Sequence, residues 1–115
     1  MIATIKRTVC FEAAHRLPHV PEGHKCGRMH GHSYRVTVRL RGLVGSSGAS
    51  AGMVCDFARV DDLARELDHR TLNDVEGLAN PTSEHLAAWF IRRLRADGLP
   101  VAGVAVAETD RSEAV

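Results

Sequence analysis

Two stretches of period-two alternation bracket a cluster of imidazoles, and they constrain the fold more than any other feature of the chain. From Ala3 to Ala13 the odd positions read Ala3, Ile5, Arg7, Val9, Phe11 and Ala13, against Thr4, Lys6, Thr8, Cys10 and Glu12. Apart from Arg7, this is the pattern of a half-buried strand. From His32 to Gly42, Tyr34, Val36, Val38 and Leu40 alternate with Arg35, Thr37, Arg39 and Arg41, which predicts a second strand. Arg16 to Gly23, between the two, carries two prolines and a glycine and is therefore a loop. It delivers the chain to His24-Lys25-Cys26-Gly27-Arg28-Met29-His30-Gly31-His32.

The parity of these strands has a chemical consequence. His15 continues the apolar parity of the first, and His30 and His32 share that of the second. Residues two apart on a strand point to one face, so an antiparallel pairing brings His15, His30 and His32 together at one end of the sheet. Three protein ligands with an open fourth position are what a catalytic zinc site needs. Cys26, flanked by Lys25 and Arg28, has the basic setting of a reactive thiol. Cys10 and Cys55 lie in apolar strand contexts and are expected to be small core residues. His19 and His24 are expected at the surface. Arg35, Arg39 and Arg41 form either a solvated face or the lining of a lumen between subunits.

Length and charge narrow the function. A chain of 115 residues is expected to form one domain spanning 1–115. A net charge of +1 with His neutral gives no reason to expect a nucleic acid or a membrane surface as partner. No run approaches a transmembrane helix, and Met1 to Arg7 lacks the apolar core of a signal peptide. Three cysteines without a repeated C-x-x-C suit a reducing compartment. A soluble cytoplasmic protein is the expectation.

Further along, Gly45 to Gly52 is a Gly/Ser-rich connection, and Met53-Val54-Cys55 is expected to return antiparallel to the second strand. Asp56 is placed to cap a helix whose Val60, Leu63, Ala64 and Leu67 recur at helical spacing. Asp68-His69 follows where that helix ends. Thr82 or Ser83 caps a second helix, with Glu84 in its first turn and Leu86, Ala87, Phe90, Ile91 and Leu94 as its buried stripe, and Gly98 and Pro100 stop it. A third strand from Val101 to Ala107 ends in Glu108-Thr109, with Glu108 on the parity of Val104 and Val106. The sum is an α+β sandwich: an antiparallel sheet with two helices on one face. Its open edges invite pairing between subunits.

Phe11-Glu12-Ala13-Ala14-His15-Arg16-Leu17, the Cys26 to His32 stretch, Asp56-Phe57, Leu67-Asp68-His69, Leu72-Asn73, Asn80-Pro81-Thr82-Ser83-Glu84 and Glu108-Thr109 run in this order over nearly the whole chain. Together they resemble the 6-pyruvoyltetrahydropterin synthase family. Three residues between Cys26 and His30-Gly31-His32 are closest to its 6-carboxytetrahydropterin synthase branch, which supplies deazapurines such as queuosine. The resemblance implies a tunnelling fold (T-fold) whose sheets close into an oligomeric barrel, a hexamer of two stacked trimers with active sites shared between subunits. It implies Zn2+ held by His15, His30 and His32, and 7,8-dihydroneopterin triphosphate as substrate. The product would be 6-carboxy-5,6,7,8-tetrahydropterin, with release of acetaldehyde and triphosphate.

In the same terms, Cys26 transfers protons, Asp68 and His69 relay them, and Glu108 grips the pterin ring, with Glu84, Thr82 and Ser83 as further pterin contacts. Lys25, Arg28 and Arg16 are either triphosphate contacts or ordinary surface charge. Formation of 6-pyruvoyltetrahydropterin, side-chain cleavage of sepiapterin-like compounds, and a non-catalytic zinc-stabilised oligomer that binds pterins or purines stand as alternatives. The resemblance also implies a last strand after Glu108-Thr109. Only Asp110 to Val115 follow here, which predicts a clipped final strand unless the chain continues.

Overall fold

The two alternating stretches become one long antiparallel hairpin. In the computed structural model, which describes Met1–Val115, β1 (Ile2–His15) pairs with β2 (His30–Leu43) from Ile2 opposite Leu43 to His15 opposite His30. Val9, Phe11, Ala13 and His15 are buried on one face, while Thr4, Lys6, Thr8, Cys10 and Glu12 are exposed on the other. Cys10 is therefore a surface thiol and not the core residue expected: its even position puts it beside Thr8 and Glu12. Cys55 is half-buried and does pack against the core.

Helix α1 (Ala58–Leu67) follows, then the short β3 (Arg70–Thr71), α2 (Ser83–Ala96), β4 (Val101–Thr109) and β5 (Ser112–Ala114). The sheet order is β3-β1-β2-β4-β5, antiparallel except for β3 against β1. Five strands replace the three read from the sequence. Two residues at Arg70–Thr71 are too few to show a period, and Ser112–Ala114 forms a short fifth strand by pairing with Val106, Ala107 and Thr109. Met53-Val54-Cys55 does not form a strand. Both edges of β2 are already taken, by β1 and by β4, and the segment closes a turn instead, with Gly45 N–H donating to the Met53 carbonyl.

Both helices cover the apolar face. Val60, Leu63, Ala64 and Leu67 of α1 join Leu86, Trp89, Phe90 and Leu94 of α2 over Val9, Phe11, Tyr34, Val36, Val38 and Val104. Phe90 stacks at 6.4 Å from Phe11, which stacks at 5.2 Å on Tyr34. Trp89 is buried where the stripe predicted only its neighbours, and Ile91 is half-buried at the rim. Thr82 caps α2 by accepting from the His85 N–H. Asp56 accepts from the Ala58 N–H one residue ahead of the helix boundary. No helix is long and apolar enough to cross a membrane. Phe90 is fully buried at the centre of this layer, so Phe90→Ala is expected to cost about 3–5 kcal/mol, read as a lower denaturant midpoint with unchanged slope.

Candidate metal centre and adjoining pockets

The hairpin register sets the histidine triad. His15 and His30 are directly opposed across the β1–β2 pair, and His32 lies two residues along on the same face, opposite Ala13. The three rings form a nearly equilateral triangle, with centroids 4.6, 4.9 and 5.0 Å apart. One nitrogen from each lies within 4.8 Å of the others.

Backbone carbonyls orient two of the rings. His15 Nδ1 lies 2.8 Å from the Pro81 carbonyl oxygen, and His30 Nδ1 lies 2.7 Å from that of Arg28. A carbonyl only accepts, so each Nδ1 carries the hydrogen and each Nε2 turns a lone pair inward, the tautomer a metal ligand requires. His32 Nε2 is buried with no hydrogen-bond partner. A buried imidazole nitrogen left unpaired among two presented lone pairs fits a divalent cation, and imidazole suits Zn, Cu, Fe and Ni. His15 is only 1% exposed, and its burial holds the imidazole below its usual titration range, so the neutral ligand form is favoured.

A cavity of about 390 Å³ opens beside the triad, lined by Leu17, Lys25, Cys26 and Glu108 together with the three histidines. The Cys26 backbone is fixed at both ends: its N–H donates to His24 Nδ1 at 3.0 Å, and its carbonyl accepts from the Leu17 N–H at 2.8 Å. His24 is thus exposed, as expected, yet shapes the loop that carries Cys26. Leu17 and Glu108 also line a second cavity of about 230 Å³ with Thr82, Ser83, Glu84 and Glu113, at the N-terminus of α2. The two spaces therefore adjoin. Arg28 and Arg16 are exposed and engage through their backbones, Arg28 as the His30 acceptor and Arg16 by donating its N–H to Asn73 Oδ1 and accepting at its carbonyl from Asn73 Nδ2.

Asp68 and His69 are placed elsewhere. Asp68 Oδ1 accepts from the Glu12 N–H at 2.9 Å, its Oδ2 lies 2.9 Å from His69 Nδ1, and the His69 N–H donates to the Glu12 carbonyl at 2.6 Å. The Glu12 N–H and then His69 hold the Asp68 carboxyl below its ordinary range. His69 sits at φ +59, in the left-handed region that a residue other than glycine adopts at a cost. It lines a space of about 410 Å³ with Glu12, Gly31 and Ser33, while Cys26 lines the space beside the triad; His32 lines both. Within one chain, Cys26 and His69 thus line different cavities.

Three contributors escaped the sequence. The Pro81 carbonyl and Leu17 act through position alone, which no residue-type pattern reveals. Tyr34 packs edge-on against His15 and His32 with centroids 5.9 and 5.5 Å away. Its hydroxyl is buried without a partner, and burial, with the nearby Glu108 charge, pushes its ionisation up. Its position in the alternation marks it only as a core residue.

The arrangement has known counterparts. The sequence profile of the family described as 6-pyruvoyl tetrahydropterin synthase matches residues 4–115. A Synechocystis protein named 6-carboxy-5,6,7,8-tetrahydropterin synthase is 45% identical over 117 residues, covering 96% of this chain and 89% of its own. A Pyrococcus furiosus protein named dihydroneopterin monophosphate aldolase is 30% identical over 95 residues, covering 79% and 77%. The solved structure of Caenorhabditis elegans 6-pyruvoyl tetrahydropterin synthase superposes with a TM-score of 0.75 at 29% identity, covering 99% of this chain and 94% of that one. Five strands, two helices on one face and a histidine triad closing the hairpin thus coincide with a match along almost the whole sequence, and the chain belongs to the 6-pyruvoyl tetrahydropterin synthase family.

Proposed function

We propose that this protein is a zinc-dependent 6-carboxytetrahydropterin synthase. It converts 7,8-dihydroneopterin triphosphate to 6-carboxy-5,6,7,8-tetrahydropterin with release of acetaldehyde and triphosphate. The observation that carries the reading is the cavity that gathers His15, His30, His32, Cys26 and Glu108, in a chain whose Synechocystis relative bears that name. Zinc is the ion for three neutral imidazoles with a position left for substrate. When bound, it supplies Lewis acidity toward the side-chain hydroxyls of the pterin.

The chain's own groups do the rest. Cys26, held by its pinned backbone beside the triad, takes and returns protons at the substrate side chain. Glu108 accepts hydrogen bonds from the paired N–H donors of the aminopyrimidine edge, with Glu84, Thr82 and Ser83 completing that end of the pocket at the α2 N-terminus. Lys25, on the rim beside Cys26, faces the triphosphate.

His69, oriented by Asp68, exchanges protons with Cys26 of a neighbouring copy, because the two line different spaces in one chain. The outer edge of β1 supports such an assembly: it pairs with β3 only at Ala13 and Ala14 and stands open toward Ile2. A second copy closes it into a barrel, with two trimers stacked as a hexamer.

The test is a mass-spectrometric product assay of metal-quantified protein with 7,8-dihydroneopterin triphosphate. 6-Carboxytetrahydropterin and acetaldehyde in equal amounts are expected. Accumulation of 6-pyruvoyltetrahydropterin alone, or no turnover by zinc-replete protein, refutes this assignment.

A further inference from the structure

Glu108 closes β4 on the parity of the buried Val104 and Val106, and that parity turns its carboxylate toward the triad. Oε1 lies 3.9 Å from His15 Nε2, and Oε2 lies 3.8 Å from His32 Nε2. A charge-assisted hydrogen bond to a protonated imidazole would close to about 2.7–2.9 Å, so these are not such bonds. Toward His15 and His32 the spacing is instead close to that of neighbouring ligands around one ion. With metal–nitrogen and metal–oxygen distances of about 2.0–2.2 Å, adjacent tetrahedral donors stand about 3.3–3.6 Å apart. Each oxygen faces a different imidazole nitrogen across the same gap, and the His32 nitrogen there has no partner of its own.

The pterin assignment gives this carboxylate a second task. The aminopyrimidine edge lies across the bicycle from the C6 side chain, which must itself reach Cys26 and the triad. One position of the carboxylate cannot serve both ends. Glu108 lines both the cavity of the triad and the adjoining cavity at the α2 N-terminus, so rotation of its side chain carries the carboxylate from one to the other.

We propose that Glu108 is the fourth ligand of the metal in the substrate-free protein, and that an entering pterin draws it away and so opens the coordination position the substrate takes. The displacement rests on the pterin reading; the ligation rests on the geometry of the triad alone. A carboxylate is an ordinary partner for such an ion. Its charge offsets part of the ion's in a pocket where Glu108 itself is only a quarter exposed.

The experiment uses the full chain, stripped with a chelator and titrated with cobalt(II) alone, with the visible d–d bands and the affinity followed together. Loss of a partner that merely orients a ligand costs roughly 10–100-fold in affinity. Glu108→Ala, which removes a ligand itself, is therefore expected to weaken cobalt binding at least tenfold and to shift the bands. Glu108→Gln, nearly isosteric, does the same and guards against a folding defect. Saturating neopterin, whose side-chain hydroxyl takes the position Glu108 leaves, shifts the wild-type bands away from those of the neopterin-free protein.

Equal cobalt affinity and equal bands in wild type and both variants overturn the ligation. Wild-type bands indifferent to neopterin overturn the displacement. A wild-type chain that takes up no cobalt overturns the metal centre and this inference with it. A chain that weakens tenfold on Glu108→Ala yet turns over no pterin refutes the proposed function and leaves the ligation standing.

Discussion

Replacing His30 with alanine is expected to remove the metal from the protein, and turnover with it, while leaving the fold intact. His30 is the cleanest of the three ligands to delete. It is half-buried at the mouth of the site and its Nδ1 partner, the Arg28 carbonyl, can turn to water. His15 is 1% exposed and bonded to Pro81; its loss would leave a cavity and an orphaned carbonyl, confusing loss of metal with loss of stability. With two imidazoles in place of three, zinc affinity is expected to fall by about 10²-fold or more, and activity to background. Metal analysis after gel filtration reads the first effect and the thermal melt in chelator reads the absence of a folding defect. Retained stoichiometric zinc would refute the triad.

The pH dependence of metal uptake follows with its sign. A ligating imidazole must be neutral, so binding is complete above the imidazole range and is lost as pH falls and protons compete. Burial lowers the His15 titration, so at that ligand the neutral form persists to lower pH. Zinc retention measured from pH 8 to pH 5 is expected to decline only on the acid side.

The histidine triad was legible in the sequence because it is built from strand parity. Once His15 and His30 fall on the apolar parity of two strands joined by a loop, the pairing that buries Phe11 against Tyr34 also opposes the histidines. Register and chemistry are then the same fact. The helices were legible for a similar reason, since Val60, Leu63, Ala64 and Leu67 recur at the spacing that buries one face.

Met53-Val54-Cys55 misled because an apolar triplet says nothing about vacancy. The place it needed beside β2 was filled by β4, fifty residues further on. Cys10 differs from the expectation because its even position on β1 decides its exposure, whatever the apolar character of Val9 and Phe11 beside it. Asp68 and His69 could be singled out as an adjacent pair, but their anchoring to both backbone groups of Glu12 was not. That contact depends on the left-handed turn at His69, which carries no glycine to announce it.

Cys26→Ala is expected to lower kcat by about 10²–10⁴-fold, the usual worth of a positioned acid–base group, with KM little changed and zinc content unaltered. The thiol does not hold the loop: the contacts of residue 26 to His24 and Leu17 run through its backbone and survive the substitution. His69→Ala is expected to produce a similar fall, again without loss of metal, since His69 lines a different space from the triad cavity. Alanine at that turn keeps the left-handed strain, so His69→Gly separates the missing imidazole from a relaxed backbone.

The two defects are expected to complement each other. If Cys26 of one copy works with His69 of the next, then co-expressing Cys26→Ala and His69→Ala chains forms sites in which the Cys26→Ala copy supplies His69 and the His69→Ala copy supplies Cys26. Random assembly at equal amounts restores roughly a quarter of the wild-type activity, because each half of an intact site is drawn with even odds. Mixed assemblies as inactive as either parent would show that both groups act from a single chain. The separation of Cys26 from His69 in this structure would then have to close by movement within one subunit.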